Sequence, residues 1–165
     1  MLYFYDVDTD YADYLRGIDD KIPYITYAGK DKFVCGVVLA VDGYDYFVPI
    51  SSNKNKSQTD MLISDENGTP LSTLRFGYMF PAPTDILTEK DIGEIRSVDP
   101  AYAMLLQKEY EFCRKNEDDI RRKAEKVYKI GCNSKHFLNK QCCNFKILES
   151  GYRQYFESRM DEAGI

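Results

Sequence analysis

The chain of 165 residues reads as an α+β protein, antiparallel β in its first half and mainly helical in its C-terminal half. Three observations predict this. Before Asp99, apolar residues alternate in short runs broken by turn dipeptides such as Asp42-Gly43 and Asn67-Gly68, the pattern of half-buried strands joined by tight turns. After Asp99 they recur at helical spacing, as in Met104, Leu105, Phe112 and Cys113. No linker separates the halves, so residues 1–165 read as one domain, with a β-rich part over 1–98 and a dependent helical annex over 99–165.

Each element follows from local chemistry. Leu2 to Val7 alternates and is rich in aromatics, hence a strand. Asp8 or Thr9 caps a helix whose Tyr11, Tyr14, Leu15 and Ile18 share a face. Ile22 to Asp31, with Pro23 and Gly29, reads as a loop. Phe33 to Val41 and Tyr44 to Ile50 flank Asp42-Gly43 and predict a β-hairpin. The polar stretch Ser51 to Thr59 leaves the second strand as a flexible, solvated loop. Met61 to Ile63, Leu71 to Leu74 and Tyr78 to Phe80 supply further short strands, ended by Pro81 and Pro83. Asp99-Pro100 is an N-cap with proline at the first helical position, Ile120 to Ile130 forms a second helix stopped by Gly131, and Asn144 caps a last one.

Composition narrows the classes. The chain is 44% hydrophobic and 30% charged, which is globular, and no apolar run approaches the ~20 residues that span a bilayer. The N-terminus lacks the basic and apolar regions of a cleaved signal peptide, so a cytoplasmic location is expected. Five irregularly spaced cysteines read as reduced, buried thiols rather than as a disulfide framework or a metal site, and no metal or cofactor is expected. A net charge of −5 disfavours a generally basic nucleic-acid binder. The basic residues are concentrated, however: Lys54, Lys56, Arg121, Arg122, Lys123, Lys126 and Lys129 form local positive ground.

Chemistry concentrates at Ser51-Ser52-Asn53-Lys54, where the hairpin's second strand ends. RNA carries its own nucleophile, the 2′-hydroxyl. An enzyme acting on it needs to move protons and stabilise a crowded phosphorane, and serine hydroxyls with a lysine ammonium suit that task. Such loops are commonly solvated turns, so the tetrapeptide alone is a weak signal. Lys32 precedes the strand that pairs with this one, and antiparallel pairing brings it beside the loop. Tyr11 and Tyr27 offer faces on which unpaired bases can stack. His136, the sole histidine, reads as a polar loop residue.

Taken together, these blocks carry a resemblance. Tyr11-Ala-Asp-Tyr-Leu15 with Asp19-Asp-Lys-Ile-Pro23, Lys32-Phe-Val-Cys-Gly-Val-Val-Leu39, Tyr46-Phe-Val-Pro-Ile-Ser-Ser-Asn-Lys54 and Cys143-Asn-Phe-Lys-Ile-Leu-Glu149, in order over nearly the whole chain, resemble the ToxN/AbiQ family of type III toxin–antitoxin toxins, including its CptN branch. The resemblance implies a compact, strongly twisted antiparallel sheet, like the barrel core of the MazF and Kid toxins, with peripheral helices. It implies a metal-independent, sequence-selective endoribonuclease that leaves a 2′,3′-cyclic phosphate and a 5′-hydroxyl. Its partner would be a noncoding RNA antitoxin, cut from a repeat transcript into pseudoknots that inhibit the toxin and close with it into a ring, toxin–toxin contacts being minor. Cellular or phage RNAs would be the other substrates. By resemblance Ser51, Ser52, Lys54 and Lys32 are the expected catalytic residues; Tyr11, Tyr27, Asn53, Lys56, Arg121, Arg122 and Lys126 are expected to bind RNA, with Asn53 standing where relatives can carry proline. The rival readings are a noncatalytic RNA-binding module and a protein-interaction domain built on the helices.

Overall fold

A computed structural model describes residues 1–24, 26–27 and 30–162. The chain begins with β1 (Tyr3–Val7) and α1 (Thr9–Ile18), where Asp8 caps the helix by accepting from the Asp10 amide at 2.8 Å. Two short strands, β2 (Thr26–Tyr27) and β3 (Lys30–Asp31), pair within the segment expected to be loop. The predicted hairpin follows as β4 (Phe33–Val41) and β5 (Tyr44–Ser51). Its turn has positive φ at both Asp42 (50°) and Gly43 (84°), which matches the right-handed twist of the flanking strands. Next come β6 (Asp60–Ser64) and β7 (Pro70–Arg75), joined by a turn in which Asp65 Oδ1 accepts from the amides of Asn67 and Thr69, each at 2.9 Å. A 3₁₀ turn at Phe76–Tyr78 leads to β8 (Phe80–Pro81).

Sheet order is β6-β7-β5-β4-β1-β9, with β9 (Leu87–Glu89) antiparallel to β1 and β8 attached to β5. Among the described residues β6 and β9 do not pair with each other, so the seven-stranded sheet is open rather than closed into a barrel. Both β7 and β8 lie along one side of β5, at Ile50 and Ser51 and at Tyr46 and Phe47 respectively. The 3₁₀ turn between them carries Tyr78 out of the sheet. In β4 the register shifts between Gly36 and Leu39, a bulge that adds local twist. Gly36 is needed there because a Cβ would run into the Phe47 ring.

Five helices pack around this sheet: α1, α2 (Ile92–Val98), α3 (Pro100–Lys115), α4 (Glu117–Gly131) and α5 (Phe145–Glu162). Asp99 and Pro100 start α3 as expected, with Asp99 accepting from the Tyr102 amide at 3.1 Å. Asn144 accepts from the Ile147 amide at 3.2 Å. Gly131 ends α4 where any Cβ would strike the Phe145 ring. One apolar cluster runs from Leu2 and Phe4 in β1 to Phe145 and Leu148 in α5, so the helical half shares its core with the β-rich half. Polar chemistry fastens the two. The buried Glu149 carboxylate accepts from Tyr46 at 2.6 Å and from Tyr128 at 2.7 Å, joining β5, α4 and α5. Burial and this carboxylate raise the pKa of both phenols, which remain donors. Four cysteines are buried as expected, while Cys132 is exposed at the end of α4. No described helix is long and apolar enough to cross a membrane.

Candidate active site

β5 ends at Ser51, paired with Thr73 of β7. There the chain leaves the ladder through two successive side-chain turns. Ser51 Oγ accepts from the Asn53 amide at 3.2 Å, and Asn53 Oδ1 accepts from the Asn55 amide at 2.9 Å. Short polar side chains that bond the backbone two residues on bend the chain in this way.

The backbone of this exposed loop is tied to β7. Thr73 donates its hydroxyl to the Asn53 carbonyl at 2.8 Å. Arg75 donates to the same carbonyl at 3.3 Å and to that of Asn55 at 2.9 Å. Its guanidinium is fixed in turn by Asp60, 2.6 Å away and almost fully buried. Asp60 also accepts from the Ser57 amide at 2.8 Å and hydroxyl at 3.0 Å. At the far end Lys123 of α4 donates to the Gln58 carbonyl at 2.8 Å. The backbone of the loop is thus directed inward, and the side chains of Ser52, Lys54 and Lys56 lie exposed.

Lys32 stands on the other side of β5. It immediately precedes β4, whose register with β5 begins at Val34 and Pro49. Lys32 also lines an open cavity of about 490 Å³, together with Asp20, Lys21, Tyr24 and Tyr78. Ser52 and Lys54 are exposed just beyond the end of β5, and Lys32 precedes the start of β4, the strand that pairs with β5.

Among the remaining expected residues, Tyr11 is a correction, while Asn53, Arg121 and Arg122 stay at the surface with contacts of their own. Tyr11 is fully buried, its hydroxyl donating to the Pro81 carbonyl at 2.5 Å, and its ring packs edge-on against Tyr155 of α5; it is a core residue with no face open to a base. Asn53 has Oδ1 committed to the loop's own fold. Arg121 and Arg122 are engaged within α4, Arg121 with Glu117 at 3.9 Å and Arg122 with Asp119. Beside them in the expected basic ground stands Lys123, whose pKa is lowered first by burial and then by the charges of Lys126 and Lys56. Lys56 and Lys126 are themselves exposed. The Tyr27 side chain lies outside the described residues. His136 is a loop residue as expected, its Nδ1 accepting from the Leu138 amide at 3.0 Å.

Sequence reasoning missed the supports: Thr73, Arg75, Asp60 and Lys123. A signal for two of them was present. Asp60 and Arg75 are opposite charges at the two ends of the β6–β7 hairpin, and its ladder pairs them.

An open antiparallel sheet that holds a strand-exit loop of hydroxyls and lysines beside a basic patch defines the class: a small α+β protein built to engage a phosphodiester backbone. Comparison with known proteins makes this particular. Residues 3–153 match the family model described as toxin ToxN, type III toxin-antitoxin system. An endoribonuclease ToxN of Bacillus thuringiensis subsp. kurstaki is 34% identical over 163 residues, spanning 93% of this chain and 84% of the relative. An endoribonuclease ToxN of Pectobacterium atrosepticum is 28% identical over 170 residues, spanning 96% of each. A solved toxin structure, reported for selective toxin inhibition by a non-coding RNA pseudoknot, superposes with a TM-score of 0.88 at 33% identity, covering 94% of this chain and 98% of that one. The chain belongs to the ToxN family of type III toxin–antitoxin toxins.

Proposed function

We infer that the protein is the endoribonuclease toxin of a type III toxin–antitoxin system, acting on RNA at the Ser51 to Lys54 loop and inhibited by a noncoding RNA pseudoknot. The observation that supports the site assignment is the tethering of that loop by Thr73 and Arg75, which leaves Ser52 and Lys54 exposed at the end of β5, with Lys32 just before the paired strand β4.

The RNA supplies the attacking 2′-hydroxyl. Ser51 and Ser52 donate to the non-bridging oxygens of the scissile phosphate and hold it in line with that hydroxyl. Lys54 meets the negative charge as the phosphorane forms, and Lys32 assists proton transfer or neutralises charge from the opposite side. The products are a 2′,3′-cyclic phosphate and a 5′-hydroxyl, formed without a metal ion. The MazF- and Kid-like relationship of the core belongs to the same proposal, in an open rather than closed form of the sheet. Lys56, Lys123 and Lys126 continue the phosphate track beyond the loop, and the antitoxin RNA occupies the same groove in a ring of toxin and RNA. Such a toxin meets its substrates in the cytoplasm.

The test is cleavage of a long RNA in EDTA with end-group analysis. Ser52→Ala and Lys54→Ala are each expected to slow single-turnover cleavage about 10²-fold or more, the usual loss on removing one group that stabilises developing charge. Fragments with 5′-hydroxyl ends are expected from the wild type. Unaltered rates in both variants would sink the assignment, and tight RNA binding without fragments would favour a noncatalytic module.

A further inference from the structure

The cavity beside Lys32 holds chemistry that phosphate binding does not use. Tyr24 is 61% exposed although the Arg16 guanidinium lies 3.9 Å over its ring. One ring face is therefore covered and the other is open. Arg16 is itself locked, donating to the carbonyls of Ile22 at 3.2 Å and Pro23 at 3.1 Å and to Asp13 at 2.7 Å. It holds the two residues that lead into Tyr24 and covers one face of its ring, which makes Tyr24 a supported platform. Tyr78, 37% exposed, reaches the same cavity from the 3₁₀ turn beyond β7. The volume of about 490 Å³ falls within the ~300–1,000 Å³ of small-molecule sites.

Asp20 is the informative member. Its exposed carboxylate lines the cavity beside Lys21 and Lys32 and makes no hydrogen bond among the described residues. A carboxylate repels phosphate, and in a cavity beside a phosphodiester, next to an exposed aromatic ring, it is placed to accept hydrogen bonds from a base edge. An amino group on that edge, as in adenine, cytosine or guanine, satisfies it. Uracil turns two carbonyl oxygens to the same place, flanking a single N–H.

We propose that the cavity formed by Asp20, Tyr24 and Tyr78 is a nucleobase subsite for the nucleotide next to the scissile phosphate, stacking the base on Tyr24 and selecting an amino-bearing base over uracil through Asp20. This rests on the ribonuclease reading above, and makes the platform and the carboxylate specificity-determining parts of that reaction. The RNA then runs from the Tyr24 cavity across Ser51, Ser52 and Lys54 to the lysines beyond.

The experiment uses the full chain and short single-stranded RNAs randomised around the cut, read as kcat/KM for each base at each position. The same RNAs carrying a 2′-deoxy sugar at the cut are read in parallel as Kd. Tyr24→Ala is expected to lower kcat/KM about 5- to 150-fold, the usual worth of stacking one base, with Tyr24→Phe near wild type. Asp20→Asn, whose amide both donates and accepts, is expected to reduce discrimination against uracil about tenfold at one position only. An unchanged base preference in Asp20→Asn, or a uniform loss over all sequences in Tyr24→Ala, overturns the subsite while wild-type cleavage still upholds the ribonuclease. Base-selective binding of the deoxy-substituted RNAs by a wild type that cuts nothing upholds the subsite and overturns the ribonuclease. Both residues are exposed, so a thermal midpoint near wild type is the accompanying control.

Discussion

Arg75 helps give the Ser51 to Thr59 loop, the proposed catalytic loop, its shape. It binds the carbonyls of Asn53 and Asn55 and the buried carboxylate of Asp60; Thr73 shares the Asn53 carbonyl and Ser57 shares Asp60, but Arg75 alone among the described residues joins all three. Arg75→Ala leaves Asp60 charged and uncompensated, which costs about 3 kcal/mol in denaturant unfolding. It also frees the loop, and displacement of Ser52 and Lys54 by about an ångström lowers single-turnover cleavage on the order of 10²-fold. Cleavage at the wild-type rate would show that the tether does not matter to the chemistry. Tyr11 behaves in the opposite way. Its hydroxyl satisfies the Pro81 carbonyl inside the core, so Tyr11→Phe is expected to lose about 1 kcal/mol of stability and leave the Kd for RNA unchanged. A weakened Kd in that variant would return Tyr11 to the binding surface. The difference between these two residues was not legible in sequence. Tyr11 falls on the amphipathic face of α1 as fourteen tyrosines of this chain might on any element, and only packing decides which hydroxyl meets water.

Elements are coupled through buried polar pairs. Ser72 of β7 donates to Glu109 of α3 at 2.5 Å. Burial raises the Glu109 pKa above the ordinary carboxylate range, and the Ser72 hydrogen bond only partly opposes it. For an acid whose folded pKa is raised, the stabilising contribution is complete below the unfolded value, ~4.3, and is lost as pH rises through the folded value. Glu109→Gln keeps an acceptor for Ser72 and removes the titration. It is expected to flatten stability from weakly acid to neutral pH and to raise the melting temperature at pH 7; a wild type whose stability rises through that window by the amount its Gln variant does would refute this. Of the elements, those with strong local signals matched expectation: the Asp42-Gly43 hairpin, the Asp99-Pro100 start of α3 and the Gly131 end of α4. α2 and β9 did not register in the sequence. α2 buries no residue fully and β9 has three residues, so each is defined by the partner it leans on, α3 and β1 respectively.

Across the whole molecule, a net charge of −5 opposes RNA binding in general and confines attraction to the local lysines. Binding should therefore weaken with salt. Replacing Lys56, Lys123 and Lys126 together by Gln is expected to reduce the log–log salt slope by up to about 2, at ~0.7 per phosphate on single-stranded RNA. An unchanged slope would remove them from the interface. The same replacement at Arg121 and Arg122, which are paired within α4, is expected to change the slope less. The shared core of the two halves also has a consequence. Unfolding followed by near-UV and far-UV signals should give one coincident transition, and separate transitions for 1–98 and 99–165 would divide the molecule into two units.

The sequence by itself determined the strand–turn–strand that ends in Ser-Ser-Asn-Lys, the caps of α1, α3 and α5, and the family to which these blocks point. Those features rest on contacts within a few residues, where side-chain type dictates backbone geometry. Tertiary structure alone decided that the sheet stays open, that Tyr11 is core while Tyr24 offers a face, and that a polar loop is tied down. The reason is range: the donors that fix Asn53 stand twenty or more residues away on β7, and burial depends on what α5 brings over α1. Composition described the Ser51 to Thr59 stretch as solvated, which holds for residues 52–58 though Thr59 is buried; that its backbone is also tied down depends on Thr73, Arg75 and Asp60.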